Sequence, residues 1–212
     1  MSKQDIVSEL HKAARRNFSG QHTIIKGIDD LWQLLMIDFQ KYSTFNIEYK
    51  YVLVVIDALS KYVWVRPLKT KHKNFVKNAM QSLLSESRRK PKNLQTDLGT
   101  EFYNDSFKNL MKNYNINHYS TYSVKKASIV ERVIRTLKTH LYKMFSQCGR
   151  YQWFKNSLDF VVKRYNNTLH RITKFKPINV NESNATLVMS NIKKSQKHKI
   201  RQGPFTLEIT LV

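Results

Sequence analysis

The chain has 212 residues, 37 of them Lys or Arg and only 15 Asp or Glu, for a formal charge of +22. A hydrophobic share of 41% with 12% aromatics excludes wholesale disorder, and the length suffices for one globular domain with modest additions. So large a cation excess points to a polyanionic partner, nucleic acid above all, with a basic structural protein or a membrane-surface binder as the alternatives.

The start, Met1-Ser2-Lys3-Gln4-Asp5, has no apolar signal core, and no later apolar run is long enough to span a bilayer. With Cys148 as the single cysteine there is no disulfide framework and no cysteine-rich zinc site within one chain. A soluble intracellular protein without a membrane partner is expected. Ile6, Val7, Leu10 and Ala14 fall at helical spacing between Asp5 and Arg16. His11 and His22 lack the two cysteines that a zinc module would add, so they read as surface histidines.

Leu31 to Phe39 reads as a first strand, and Lys41 to Glu48 as polar turn. The β-branched run Tyr51-Val52-Leu53-Val54-Val55-Ile56 predicts a central second strand. Tyr62 to Arg66 predicts a third, stopped by Pro67, and the short connections imply an antiparallel meander. Between Lys69 and Lys90 a helix should bury Phe75, Val76, Ala79, Met80, Leu83 and Leu84. Asn93 to Thr96 is a fourth strand. Asn104 or Asp105 then caps a helix with Phe107, Leu110, Met111 and Tyr114 on its face, and Ile116 to Tyr119 is a fifth strand. A long helix from about Val124 to Phe145 and another from Tyr151 to Leu169 complete an α/β layered arrangement. Past Pro177 the chain is polar and basic, and Gly203 to Val212 reads as a strand.

Two stretches carry the chemistry. Gln95-Thr96-Asp97-x-Gly99-x-Glu101-Phe102 ends a strand on an aspartate, and Ala127-Ser128-x-Val130-Glu131-Arg132 places a glutamate early in a basic helix. Two acids delivered by separate elements into a cationic surface point to a metal site acting on phosphodiesters. The ordered set resembles the second and third acids of the D,D,E catalytic core of retroviral-type integrases, and its wording is similar to that of Polinton/Maverick-type elements. The likeness runs from Asp29 to Pro177. It implies a ribonuclease-H-like fold, a five-stranded mixed sheet flanked by helices. It also implies residues 1–28 as a helical lead-in, 29–177 as the core, and 178–212 as a basic tail with the start of a small β domain.

Phosphodiester transfer of this kind uses two metal ions about 3.5–4 Å apart, held by oxygen ligands. The resemblance gives Asp97 and Glu131 as ligands of Mg²⁺ or Mn²⁺, with Thr96 and Glu101 behind them. The alternatives are a turn aspartate at Asp97 and a capping box, Ser128-x-x-Glu131, at the helix start. The family's Trp-Gln-x-Asp is matched here by Trp32-Gln33-Leu34-Leu35, so a leucine stands where the first acid is expected. Asp38 lies three residues on. Strand side chains alternate faces, so it should point away unless a bulge re-aims it. Asp57 is a weaker substitute.

DNA contacts are expected from Lys125, Lys126, Arg132, Arg135 and Lys138, with Tyr122 near a DNA end. The alternative is a solvated face with Glu131–Arg135 pairing, worth a few tenths of a kcal/mol. The resemblance implies double-stranded DNA (element ends and target) and further copies of the chain as partners, in the nucleus of a eukaryotic host. Two functions follow from different classes. One is an integrase performing 3′-end processing and strand transfer; the other is a non-catalytic DNA-binding or assembly protein that keeps the fold.

Overall fold

The computed structural model describes residues 3–10, 23–120 and 127–201. In chain order these form α1 (Lys3–Leu10), β1 (Leu31–Asp38), a 3-10 helix (Gln40–Asn46), β2 (Tyr51–Asp57), β3 (Val63–Leu68), α2 (Lys73–Ser87), β4 (Asn93–Thr96), α3 (Asp105–Asn113), β5 (Asn117–Ser120), α4 (Ser128–Cys148), α5 (Asn156–Asn167), a 3-10 turn (Pro177–Asn179) and α6 (Glu182–Arg201). The strands make one sheet in the order β3-β2-β1-β4-β5. β1, β2 and β3 are the expected antiparallel meander, while β4 and β5 join β1 in parallel.

The strand period of two divides the core. Trp32, Leu34 and Met36 of β1 face α2 and α3, among Met80, Leu83, Phe107 and Leu110. Leu35, Ile37 and Phe39 face α4 and α5, among Val130, Leu137, Leu141 and Val161. β2 is buried over all seven residues because both faces are covered, which is why its sequence is continuously apolar. Each fully buried aliphatic side chain here contributes about 2 kcal/mol of transfer free energy.

Several boundaries differ from expectation for identifiable reasons. Pro67 does not stop β3: it pairs with Val52 inside the strand, which is tolerated because β3 is the sheet edge. That edge is blunted further by Asn166, whose side chain donates to the Val63 carbonyl and accepts from its N–H at 2.9 and 3.0 Å. Gln40–Asn46 is a 3-10 helix rather than turn. Phe75 is 54% exposed, so α2 buries a narrower stripe than the spacing implies. Asn104 caps α3 as expected, accepting from the Phe107 N–H at 3.0 Å. α5 begins at Asn156, with Trp153 buried in the linker before it. α4 ends at the exposed Cys148, followed by Gly149 in the left-handed region.

Beyond Pro177, where a polar tail is expected, α6 docks on the β2–β3 turn: Ala185 and Val188 are buried with Leu59, beside Met189 and Ile192. The spacing 185, 188, 189, 192 is a helical stripe, and Asn181 accepts from the Asn184 N–H ahead of it. His11, His22 and the strand expected at Gly203 to Val212 lie outside the described residues.

Candidate nucleic-acid interface and metal-ligand positions

A buried glutamine fixes the geometry of the site. Gln33 on β1 is 1% exposed. Its Nε2 donates to Gln95 Oε1 on β4 at 2.9 Å, and its Oε1 accepts from the Ile129 and Val130 N–H groups of α4 at 3.1 and 3.0 Å. One amide therefore joins the three elements that carry Leu35, Asp97 and Glu131. Gln33 and Gln95 are register partners, and Leu35 and Asp97 each lie two residues further along their chains. Glu131 follows the amides that Gln33 caps. The N-cap of α4 is Ala127, with no side-chain cap, and the strand glutamine supplies the acceptor that the helix start lacks. Ser128 is the first residue of the helix, so the Ser128–Glu131 capping box does not form.

The two acids at this corner are sparsely partnered. Asp97 is half-buried, and its Oδ1 accepts from the Gly99 N–H at 3.3 Å. A Cβ at Gly99 would come within 2.5 Å of the Glu101 carboxylate, so the glycine lets Glu101 fold back against the turn. Glu131 is exposed and has no ion pair with Arg135 among the described residues. Leu35 is half-buried and packs on the core formed with α4.

Asp38 lies on the other face of β1 from Leu35, with no bulge between them in the β1–β2 register. Its carboxylate accepts from the backbone and side-chain N–H groups of Gln40 at 2.9 Å each and lies 3.9 Å from Lys71 Nζ. Partial burial raises its pKa, but the Gln40 hydrogen bonds and the Lys71 and Lys138 charges outweigh that and hold it below the usual value. Asp57 is farther still: it pairs with Trp32 at the start of β1. Fully buried, it accepts from Ser60 Oγ and N–H and from Arg89. A two-metal site needs hard oxygen donors, and two carboxylates beside a leucine do not supply that set. Among the described residues no three of His, Cys, Asp and Glu are grouped to hold a metal ion.

Behind Asp97, Thr96 Oγ1 donates to the Asp97 carbonyl at 2.8 Å and meets His118 Nε2 at 2.9 Å. The hydroxyl proton being engaged, the imidazole donates from Nε2 and stays neutral. Burial, helped by the Lys108 charge, pushes His118 down to about 4. It packs against Tyr103 and Phe107 and props the strand end.

On α4, Glu131, Arg135 and Lys138 recur at i, i+4 and i+7, one exposed face. Lys138 Nζ reaches the Phe39 ring, 5.9 Å from its centroid. Arg132 departs from that stripe. After burial, its charge adds to what disfavours the charged forms of Lys61 and His170. Burial is the larger cause in both, taking the Lys61 ammonium down to about 8 and His170 to about 4. Lys125, Lys126 and Tyr122 lie outside the described residues. The Tyr165 to Arg171 segment is architectural: Asn166 clips β3, and His170 Nδ1 accepts from the Ile172 and Thr173 N–H groups at 3.3 and 3.4 Å.

Solved structures of similar fold include a chain of the simian T-cell lymphotropic virus intasome in complex with PP2A regulatory subunit B56 gamma, with a TM-score of 0.61 at 21% identity, covering 76% of this chain and 59% of that one. The HTLV-2 integrase catalytic core domain in complex with magnesium, a trimeric form, gives 0.54 at 21% identity, covering 72% and 95%. The catalytic core domain of BIV integrase gives 0.57 at 20% identity, covering 79% and 99%. The fold is the ribonuclease-H-like fold of integrase catalytic cores.

Residues 30–124 match the family model of the integrase core domain. A transposon-derived protein of Caenorhabditis elegans is 35% identical over 140 residues, which is 66% of this chain and 49% of the relative. The chain thus spans about half the length of that relative.

Proposed function

We propose that this chain is a DNA-binding integrase core of a mobile element, similar to the Polinton/Maverick type, whose strand-transfer chemistry is disarmed at Leu35. The observation that carries the reading is the Gln33 junction. The three acid-bearing elements of such a core are locked in place, yet the position on β1 presents a leucine packed into the core. Asp97 and Glu131 are the two ligand positions retained. Arg135 and Lys138 beside Glu131, with Lys125, Lys126, Arg132 and Tyr122 as further contacts, would neutralise phosphates of double-stranded DNA, element ends and target alike. Further copies of the chain would complete the assembly, in the nucleus of a eukaryotic host. Retained binding with lost chemistry is the second of the two functions read from sequence, and the absence of a substitute acid at Asp38 or Asp57 favours it over the first.

The test is strand transfer of a labelled DNA end with Mg²⁺ or Mn²⁺, alongside duplex binding over a salt series. The native chain should be silent, Leu35→Asp active, and Leu35→Asp with Glu131→Gln silent again. All three should bind duplex DNA with an affinity that falls steeply as salt rises. Activity of the native chain that disappears in Glu131→Gln would overturn the reading.

A further inference from the structure

The connection between β1 and β2 and the linker between α4 and α5 form an aromatic surface that the integrase reading leaves unused. Asn46, 1% exposed, locks the two segments together. Its Nδ2 donates to the Tyr42 and Tyr151 carbonyls at 2.6 and 2.9 Å, and its Oδ1 accepts from the Trp153 and Phe154 N–H groups at 2.7 and 2.9 Å. A buried amide with four bonds holds the surface rigid. On it Phe45 is 52% exposed and Tyr151 is 47% exposed. Their ring centroids are 5.6 Å apart, and Tyr151 stacks on Tyr42 at 5.3 Å. Lys41 Nζ stands 4.7 Å from the Tyr42 centroid.

The patch continues the basic face of α4. Lys138 reaches Phe39, Phe39 meets Tyr42 at 6.2 Å, and Tyr42 carries Tyr151 and through it Phe45. Nearby carboxylates have lysines of their own, Asp38 with Lys71 and Glu48 with Lys50 at 4.0 Å, which leaves Lys41 and Lys138 as the cations against the rings. Rigid exposed rings interleaved with lysines suit bases better than a protein helix: every base offers a π-face, and the adjoining phosphates meet the cations. We propose that Phe45 and Tyr151 form a stacking platform for unpaired nucleotides of the DNA bound along α4. This rests on the DNA-binding reading above.

The test measures binding of the full chain to a blunt duplex and to the same duplex with a short unpaired 3′ tail, by fluorescence anisotropy. The native chain should prefer the tailed DNA. Phe45→Ala and Tyr151→Ala should each reduce affinity for it roughly tenfold and leave blunt-duplex affinity within about twofold, whereas Phe45→Trp, which keeps a ring, should retain the preference. Blunt binding without tail preference, or a preference that survives both alanines, overturns the platform alone. Absence of blunt binding overturns the DNA reading and the platform with it. If the alanine variants instead change only the sedimentation of the protein, the patch is a contact between copies and the proposal fails.

Discussion

Two corners of the sheet use acids in opposite ways. At the β1 start, Asp29 and Asp57 share one guanidinium: Arg89 reaches Asp29 at 2.6 Å and Asp57 at 3.0 Å and lies over the Trp64 ring, 5.0 Å from its centroid. Burial raises the Asp57 pKa, and the Asp29 charge adds to that against Ser60 and Arg89. At the other corner, Asp97 accepts from one backbone N–H among the described residues and Glu131 is open to solvent. In a chain with 15 acids against 37 cations, an open carboxylate on a cationic face sits in a favourable field without a fixed partner. The closed corner is scaffold held by fixed partners, and the open one leaves its carboxylates accessible.

The contrast breaks most sharply at the closed corner. Arg89→Ala leaves two carboxylates without their cation, one of them fully buried, and should cost about 3–5 kcal/mol in denaturant unfolding. Gln33→Ala strands two helix amides in the core, takes a donor from the Gln95 side chain, and should cost about 2–3 kcal/mol. In a Leu35→Asp background it should also abolish whatever transfer that variant gains, because α4 loses its register against β4.

Acid should act on the scaffold through histidines. His118 and His170 are both held near 4 against an ordinary 6.5. The unfolded chain therefore takes up their protons first as pH falls. Their contribution is present above pH 6.5 and lost as pH drops through 4, so melting temperatures should decline across that window, less steeply in His118→Phe. Glu131→Gln, at the open corner, should change stability by no more than about 0.5 kcal/mol. A larger loss would mean that Glu131 belongs to the scaffold after all.

Where one physical signal dominates, the sequence reads well. β4 spans the expected residues because Pro91 and the turn at Asp97 bracket it, and β2 is announced by its apolar run. That Leu35 and Asp38 fall on opposite faces of β1 is legible in the same way, since strand alternation separates them. The role of Gln33 escapes such a reading, although a glutamine inside Leu31-Trp32-Gln33-Leu34-Leu35 is a polar group that must find partners in the core. Its partners lie 62 and 96 residues away, beyond any local pattern. α6 escapes it for the reverse reason. Its apolar stripe is present but thin, and the lysines and asparagines around it dominate the composition.

The exposed thiol at the end of α4 has a practical consequence. Cys148 is the only cysteine, it lies about 25 Å along the helix from Glu131 at 1.5 Å per residue, and it is three residues before Tyr151. A dye coupled there by maleimide chemistry labels the protein at one place without any substitution. Energy transfer from a second dye on the DNA would then report, one molecule at a time, whether a strand leaving Glu131 runs on toward the aromatic rings or turns away.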